Sequence, residues 1–139
     1  MKRSSPSAGL LDPNLDPAKR ASLYCDANAA AISVLTEPDY FSGSIEDLAA
    51  ASAVSRAAQI PVLRKDFIVD EYQVYEAKAA GADCILLIIG CLDPKQYSDL
   101  FLLSTSMKMD VLVEVFDDIE LDIALEKAEP NIVGINNRN

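Results

Sequence analysis

The sequence predicts an α/β protein of the (β/α)8 barrel kind, on three observations. Short apolar runs alternate with helical stretches along most of the chain. The runs are nearly all apolar, as strands buried on both faces should be. No G-x-G-x-x-G turn and no P-loop follows any of them, which disfavours an open nucleotide-binding sheet. Strands separated by helices in strict alternation run parallel with right-handed crossovers, and without the glycine-rich turn the barrel is the favoured arrangement.

Taken in order, the strand candidates are "AAAISVL" (29–35), "PVL" (61–63), "DCILLII" (83–89), "DVLVEV" (110–115) and "NIVGI" (131–135). The helices between them announce their starts. Asp16-Pro17 and Asp93-Pro94 place a capping carboxylate before a proline whose fixed φ suits the first helical position. Ser44 with Asp47, and Asp117 with Glu120, have the spacing of a capping box. Helical stretches such as "IEDLAAASAVSRAA" and "PKQYSDLFLLSTSM" follow these signals.

Composition narrows the function classes. Half of the 139 residues are hydrophobic, which fits one modest globular domain or a piece of a larger one and not a disordered tail. Twelve basic against twenty-two acidic residues leave a net charge of −10 with no basic stripe, so nucleic acid and anionic membranes are poor partners. The longest apolar run, Cys84 to Leu92, is far short of the roughly 20 residues that span a bilayer. The N-terminus lacks the apolar core of a signal peptide, so the chain reads as cytosolic unless a targeting segment is missing. Cys25, Cys84 and Cys91 are odd in number and lack C-x-x-C spacing, and are expected to be core fillers in a reducing compartment. With no histidine in the chain, acid–base chemistry has to use Lys, Asp, Glu or Tyr.

Within "PVLRKDF" (61–67), three charges interrupt an apolar run. In a barrel the active site lies at the C-terminal ends of the strands, where a charge stands at the mouth and not in the packed middle. Lys65 follows "PVLR" at such an end, Glu114 follows "VLV", and Asn136 follows "IVGI". Period two puts Leu63 with Lys65, Leu112 with Glu114, and Gly134 with Asn136 on the inward face. A cation, a carboxylate and an amide converging on one mouth make a minimal acid–base site. Each has a plainer explanation: a strand-end Lys or Glu can be a solvated boundary residue, and Asn136-Asn137 can be a turn.

The segments "KRSSPSAG" (2–9), "AAISVLTEPDYFSGSIEDL" (30–48), "PVLRKDFIVDEYQVYEAKAAGAD" (61–83), "LLII" (86–89), "VLVEVFD" (111–117) and "GINNRN" (134–139) together resemble indole-3-glycerol-phosphate synthase, the tryptophan-pathway enzyme. The resemblance covers essentially the whole chain in order. It implies ring closure of 1-(2-carboxyphenylamino)-1-deoxyribulose 5-phosphate with loss of carbon dioxide and water, without cofactor or metal. Lys65 in "LRKDF" matches the family's general-acid lysine, Glu114 in "LVEV" its basic glutamate, and Lys2 a second lysine that binds substrate and shares in proton transfer. Ser5 in "SPS", with Asn136 and Arg138 in "INNR", matches polar residues that position the substrate. Ser33, Phe41, Phe67, Leu86 and Ile88 match the wall around the aromatic ring. The partner implied is a small phosphorylated molecule, with fusion to or association with other enzymes of the pathway a known arrangement.

The departures from the family are at the ends. The first strand's glutamate would lie before Met1, and Asn139 falls at the mouth of the sixth strand. The resemblance therefore implies a partial barrel over residues 1–139, from the end of strand 1 to the end of strand 6, without the later loops that hold phosphate. "ALEKAEPNIVGI" carries an extra residue, read as a tolerated loop change. One alternative is a non-catalytic half-barrel that binds a metabolite or assembles with a complementary chain, since open edges need covering. The neighbouring isomerase of the pathway would need a Cys/Asp pair in place of Lys65 and Glu114, and no cysteine stands at the required strand end.

Overall fold

The computed structural model describes residues 1–138, so the expectation for Asn139 lies outside it. The chain opens with an antiparallel hairpin, β1 (Ser4–Ser5) and β2 (Gly9–Leu10), and then α1 (Pro17–Asp26). From there strands and helices alternate: β3 (Ile32–Leu35), a one-turn α2 (Pro38–Phe41), α3 (Ile45–Ala57), β4 (Val62–Lys65), α4 (Glu71–Ala79), β5 (Cys84–Ile88), α5 (Pro94–Ser106), β6 (Asp110–Val115), α6 (Asp118–Lys127) and β7 (Ile132–Ile135). The five strands β3 to β7 form one parallel sheet in sequential order, the arrangement of a partial (β/α)8 barrel. Met1 adds one rung beyond β3: its amine donates to the Ser33 carbonyl, and its carbonyl accepts from the Leu35 amide at 3.2 Å. That rung is all that represents the expected stub of a first strand.

Period two divides each strand between two environments. Ile32, Val34, Val62, Ile85, Leu87, Val111, Val113 and Val115 are buried and belong to the main core cluster with Leu48, Ala51, Val74, Ala77, Tyr97, Leu100 and Ala124 of the helices. Each fully buried aliphatic chain contributes about 1.5–3 kcal/mol, so this layer between sheet and helices carries most of the stability. Ser33, Leu63, Leu112 and Glu114, at the alternate positions, are only half-buried on the opposite face.

β7 departs from the expectation of strands buried on both sides. Ile132, Val133 and Ile135 are 43%, 38% and 78% exposed, because β7 is an edge of the sheet and no helix covers it among the described residues. The cysteines also differ from expectation. Cys91 is exposed, in a 3-10 turn after β5, while Cys25 is half-buried against the core and Cys84 is half-buried on the face of β5 opposite Ile85.

The caps at Asp16 and Asp93 form as expected, accepting from the amides of Lys19 and Gln96. The two anticipated capping boxes are half-formed. Ser44 accepts from the Asp47 amide, but the Asp47 carboxylate is drawn away to pair with Arg3. Asp117 accepts from the Glu120 amide, and Glu120 reaches back to the Phe116 amide, one residue earlier than a box requires. A complete box occurs at α4 instead, between Asp70 and Gln73.

Gly43 follows α2 where the chain passes close to β3, and a Cβ there would lie 2.1 Å from the Leu35 carbonyl oxygen. Gly43→Ala should therefore lower the unfolding free energy by about 1–3 kcal/mol in urea titrations. Gly9→Ala, at φ +65° with open space around it, should cost only about 1–2 kcal/mol of backbone strain. Burial pushes the Tyr97 phenol up to about 12, while its hydroxyl donates to the Ala124 carbonyl at 3.1 Å. The unfolded phenol ionises near pH ~10, so the stability from this group is complete below that pH and is lost as pH rises towards 12. Urea midpoints of the native chain should fall faster above pH ~10 than those of Tyr97→Phe; parallel curves would contradict this.

Candidate active site

The C-terminal ends of the strands open into a cavity of about 700 Å³. Its lining includes Lys2, Lys65 and Glu114, together with Ser5, Phe41, Phe67, Leu86, Ile88, Asn136 and Arg138. All the candidate residues named from the sequence therefore meet in one place, apart from Ser33. That serine sits two residues below Leu35 on β3, deeper on the inward face, and does not line the cavity.

Each polar residue is placed by its element. Lys65 ends β4, in register with Leu35 of β3. Glu114 is the penultimate residue of β6, flanked by Ile88 of β5 and Gly134 of β7. Asn136 extends the ladder past β7, its amide donating to the Val115 carbonyl at 2.9 Å. Its side-chain amide then donates to Glu114 Oε1 at 3.1 Å, and its own oxygen accepts from the Arg138 amide at 3.0 Å. Asn136-Asn137 thus makes a turn and also contributes a polar group to the site.

Lys2 is positioned by its neighbour. Arg3 pairs with Asp47 at the start of α3 and donates to the Leu15 and Ser42 carbonyls at 3.0 and 3.2 Å. The hairpin turn is braced by the Ala8 amide on the buried Ser5 hydroxyl, 3.1 Å away. Arg138 reaches across the mouth to the Ser7 hydroxyl at 3.4 Å, joining the two ends of the described chain.

The lining charges fall into two groups. Glu37 is 6% exposed and accepts from the amides of Asp39, Tyr40 and Phe41 at 2.7–3.2 Å, so it holds α2 together. Asp66 accepts from Thr36 Oγ1 at 2.6 Å and from the Phe67 amide at 2.7 Å. Both carboxylates are occupied by the fold. In contrast, the ammonium groups of Lys2 and Lys65 make no hydrogen bond or ion pair among the described residues, and Glu114 Oε2 accepts none. Unused capacity thus remains on Lys2, Lys65 and Glu114, and on Arg138, whose guanidinium spends one donor on Ser7.

Glu37, Leu35, Pro6, Ser7, Asp66, Ile135 and Asn137 also line the cavity and were not anticipated. Glu37-Pro38 carried a signal, being an acid before a proline like Asp16-Pro17. Ser7 and Ile135 carried none, since each reaches the cavity only through the way the hairpin and the edge strand are brought together.

Residues 1–139 match the family model described as indole-3-glycerol phosphate synthase. The chain belongs to the indole-3-glycerol phosphate synthase family. The synthase of Bordetella pertussis (strain Tohama I) is 51% identical over 139 residues, covering all of this chain and 52% of the relative. That of Polaromonas sp. (strain JS666) is 51% identical, with 51% of its length covered, and that of Pelodictyon phaeoclathratiforme is 50% identical over 138 residues, with 52% covered. The chain thus spans about half the length of the curated relatives it matches. Among solved structures, a mandelate racemase/muconate lactonizing protein from Herpetosiphon aurantiacus superposes with a TM-score of 0.60 at 15% identity, over 84% of this chain and 35% of that one. A mandelate racemase/muconate lactonizing enzyme from Jannaschia sp. CCS1 gives 0.60 at 13% identity, over 87% and 31%. At such identities the likeness is one of fold alone. The indole-3-glycerol phosphate synthase family is of lyase type, and no helix among the described residues is long and apolar enough to cross a membrane.

Thiol chemistry gives a check on the geometry around this synthase-family site. Burial raises the half-buried Cys84 thiol to about 11. Partial burial also raises Cys91, and the negative charge of Glu114 and Glu120 adds to it, but Cys91 is exposed. Because the thiolate is the reactive form, iodoacetamide at neutral pH should label Cys91 at least about tenfold faster than Cys84. Mass mapping of the labelled peptides reads the order directly, and equal rates would contradict the placement of both.

Proposed function

We propose that the chain carries the acid–base half of an indole-3-glycerol phosphate synthase, a carboxy-lyase acting on 1-(2-carboxyphenylamino)-1-deoxyribulose 5-phosphate. The observation that supports this most directly is the pairing of two uncommitted lysines with a half-committed glutamate in one cavity. Family membership supplies the reaction, and the residues present fit its demands.

In the first step the ring carbon that bears the carboxylate attacks the substrate's ketone carbon. A C–C bond forms, and the ketone oxygen takes a proton from a lysine ammonium, Lys65 being placed for this at the end of β4. The ring–carboxylate bond then breaks, carbon dioxide leaves, and the electron pair returns to restore the aromatic ring. Loss of the new hydroxyl as water, assisted by a lysine proton, and removal of a proton by Glu114 complete the pyrrole. Lys2 and Lys65 both line the cavity, so the dehydration proton has two sources. Phe41, Phe67, Leu86 and Ile88 supply an apolar wall for the ring, which strengthens charge interactions beside it. Ser5, Asn136 and Arg138 supply donors for the substrate's anionic and hydroxyl groups. No cofactor or metal enters these steps.

The test uses a complete synthase made by placing residues 1–139 in the matched segment of the Bordetella pertussis relative. Lys65→Met and Glu114→Gln should each lower kcat by about 10²–10⁴-fold while moving the thermal midpoint little. Loss of folding with retained specific activity would return both residues to ordinary strand-end roles. By itself the 139-residue chain should turn over poorly, since the five-stranded sheet leaves the cavity open along β7; turnover close to that of the complete enzyme would overturn this.

A second reading is supported by the exposed Ile132, Val133 and Ile135 of β7, which suit association with a complementary half-barrel. Sedimentation of the isolated chain as a sharp monomer at all concentrations would count against it.

A further inference from the structure

The three charges in "PVLRKDF" part company in the fold: Arg64 turns to the helix layer, while Lys65 and Asp66 reach the cavity. Arg64 is 4% exposed, held beneath α4. Its guanidinium donates to the Gln73 carbonyl at 2.8 Å, to Thr36 Oγ1 at 3.0 Å and to Asp66 Oδ2 at 3.4 Å, and it pairs with Glu76 Oε1 at 2.8 Å. Thr36 Oγ1 in turn donates to Asp66 Oδ2 at 2.6 Å. The other Asp66 oxygen accepts from the Phe67 amide at 2.7 Å, and the Thr36 amide donates to the Lys65 carbonyl at 3.2 Å. Gln73 completes the set: its side chain donates to the Phe67 carbonyl at 2.9 Å and accepts from the amides of Val69 and Asp70 at 2.8 and 3.1 Å.

The backbone of residues 65–70 is therefore tied at seven of its polar groups by side chains or backbone of Thr36 just past β3, of α4 and α5, and of the loop itself. Within that clamp only Lys65 and Phe67 send side chains to the cavity without a hydrogen-bonding partner. We infer that Thr36 and Asp66, braced by Arg64, are positioning residues that set where the Lys65 ammonium and the Phe67 ring stand in the cavity. Neither is needed to touch the reacting atoms. Asp66 lines the cavity, but both its oxygens are engaged, so it acts through Lys65. The inference rests on the proposed catalytic role of Lys65. The clamp matters because a displacement of about 1 Å in a proton donor can cost on the order of 10²-fold in rate.

Thr36→Val removes the bridging hydroxyl at nearly constant shape and keeps the backbone amide that holds Lys65. Asp66→Asn keeps the shape and removes the charge. In the complete chimeric synthase each should lower kcat by about 10- to 100-fold with KM changed by less than about threefold. In a Lys65→Met background neither should lower the residual rate further. A purely structural role would instead lower kcat in both backgrounds, in proportion to the unfolded fraction measured by circular dichroism, and would overturn the inference. Unchanged kcat in both single variants, with Lys65→Met still inactive, would overturn it and leave the Lys65 assignment standing. Full activity of Lys65→Met would overturn the assignment and the inference together. Hydrogen exchange on the native chain gives an independent reading. In Thr36→Val the Phe67 amide should exchange at least about tenfold faster while the β5–β6 amides stay unchanged; no change at Phe67 would overturn the clamp itself.

Discussion

The alternation of side chains along a parallel strand governs this molecule. Every strand has to present apolar groups to the helix layer at every second position, because that layer excludes water and supplies most of the burial energy. Val62 obeys this on β4, and Val111, Val113 and Val115 obey it on β6. The positions left over face the barrel interior, where the demand for burial ends at the mouth. Lys65 and Glu114 fall on those positions at the strand ends, so a charge there costs little desolvation and is free to act.

Arg64 is the exception that the helix layer accommodates. A buried guanidinium is costly unless its donors are matched, and here Thr36, Asp66, Gln73 and Glu76 all meet it. No buried side-chain polar atom is left without a partner among the described residues. The cluster therefore adds specificity to the site at the place where a purely apolar layer would have left the loop after β4 untethered. The same logic appears at Glu37, a buried carboxylate whose oxygens are consumed by three amides of α2, and whose cost is offset by fixing Phe41 at the cavity wall.

The fold sets a division of labour among like residues. Six charged side chains of both signs line the cavity, and they differ in how much of their hydrogen-bonding capacity the fold has already used. Glu37 and Asp66 are used. Arg138 spends one donor on Ser7, Glu114 keeps one oxygen free, and the two lysines keep all their donors among the described residues. The hairpin at the start of the chain and the turn after β7 approach each other through Arg138 and Ser7, so residues 131 apart in sequence bound one cavity.

Much of this was legible in the linear chain. Apolar runs of the right length, acid–proline helix starts and period two within each run were enough for the parallel sheet, its order and the inward placement of Lys65 and Glu114, because these depend on local geometry that each segment carries with it. The Asp–Pro caps formed for the same reason. What the sequence could not settle depended on distant partners. Ser44 and Asp47 had the spacing of a capping box, yet Arg3 took the Asp47 carboxylate, since a charged donor 44 residues away outbids a backbone amide. Arg64 and Lys65 are adjacent cations that look alike in sequence; only the packing of α4 against β4, with Thr36 just past the neighbouring strand, decided that one is buried structure and the other an unpaired ammonium lining the cavity. Ser33 shows the converse, an inward position that the sequence placed with the site but that lies too deep on β3 to reach it. Local pattern determined which face each residue takes, and tertiary contact decided which of the groups on that face remain unspent.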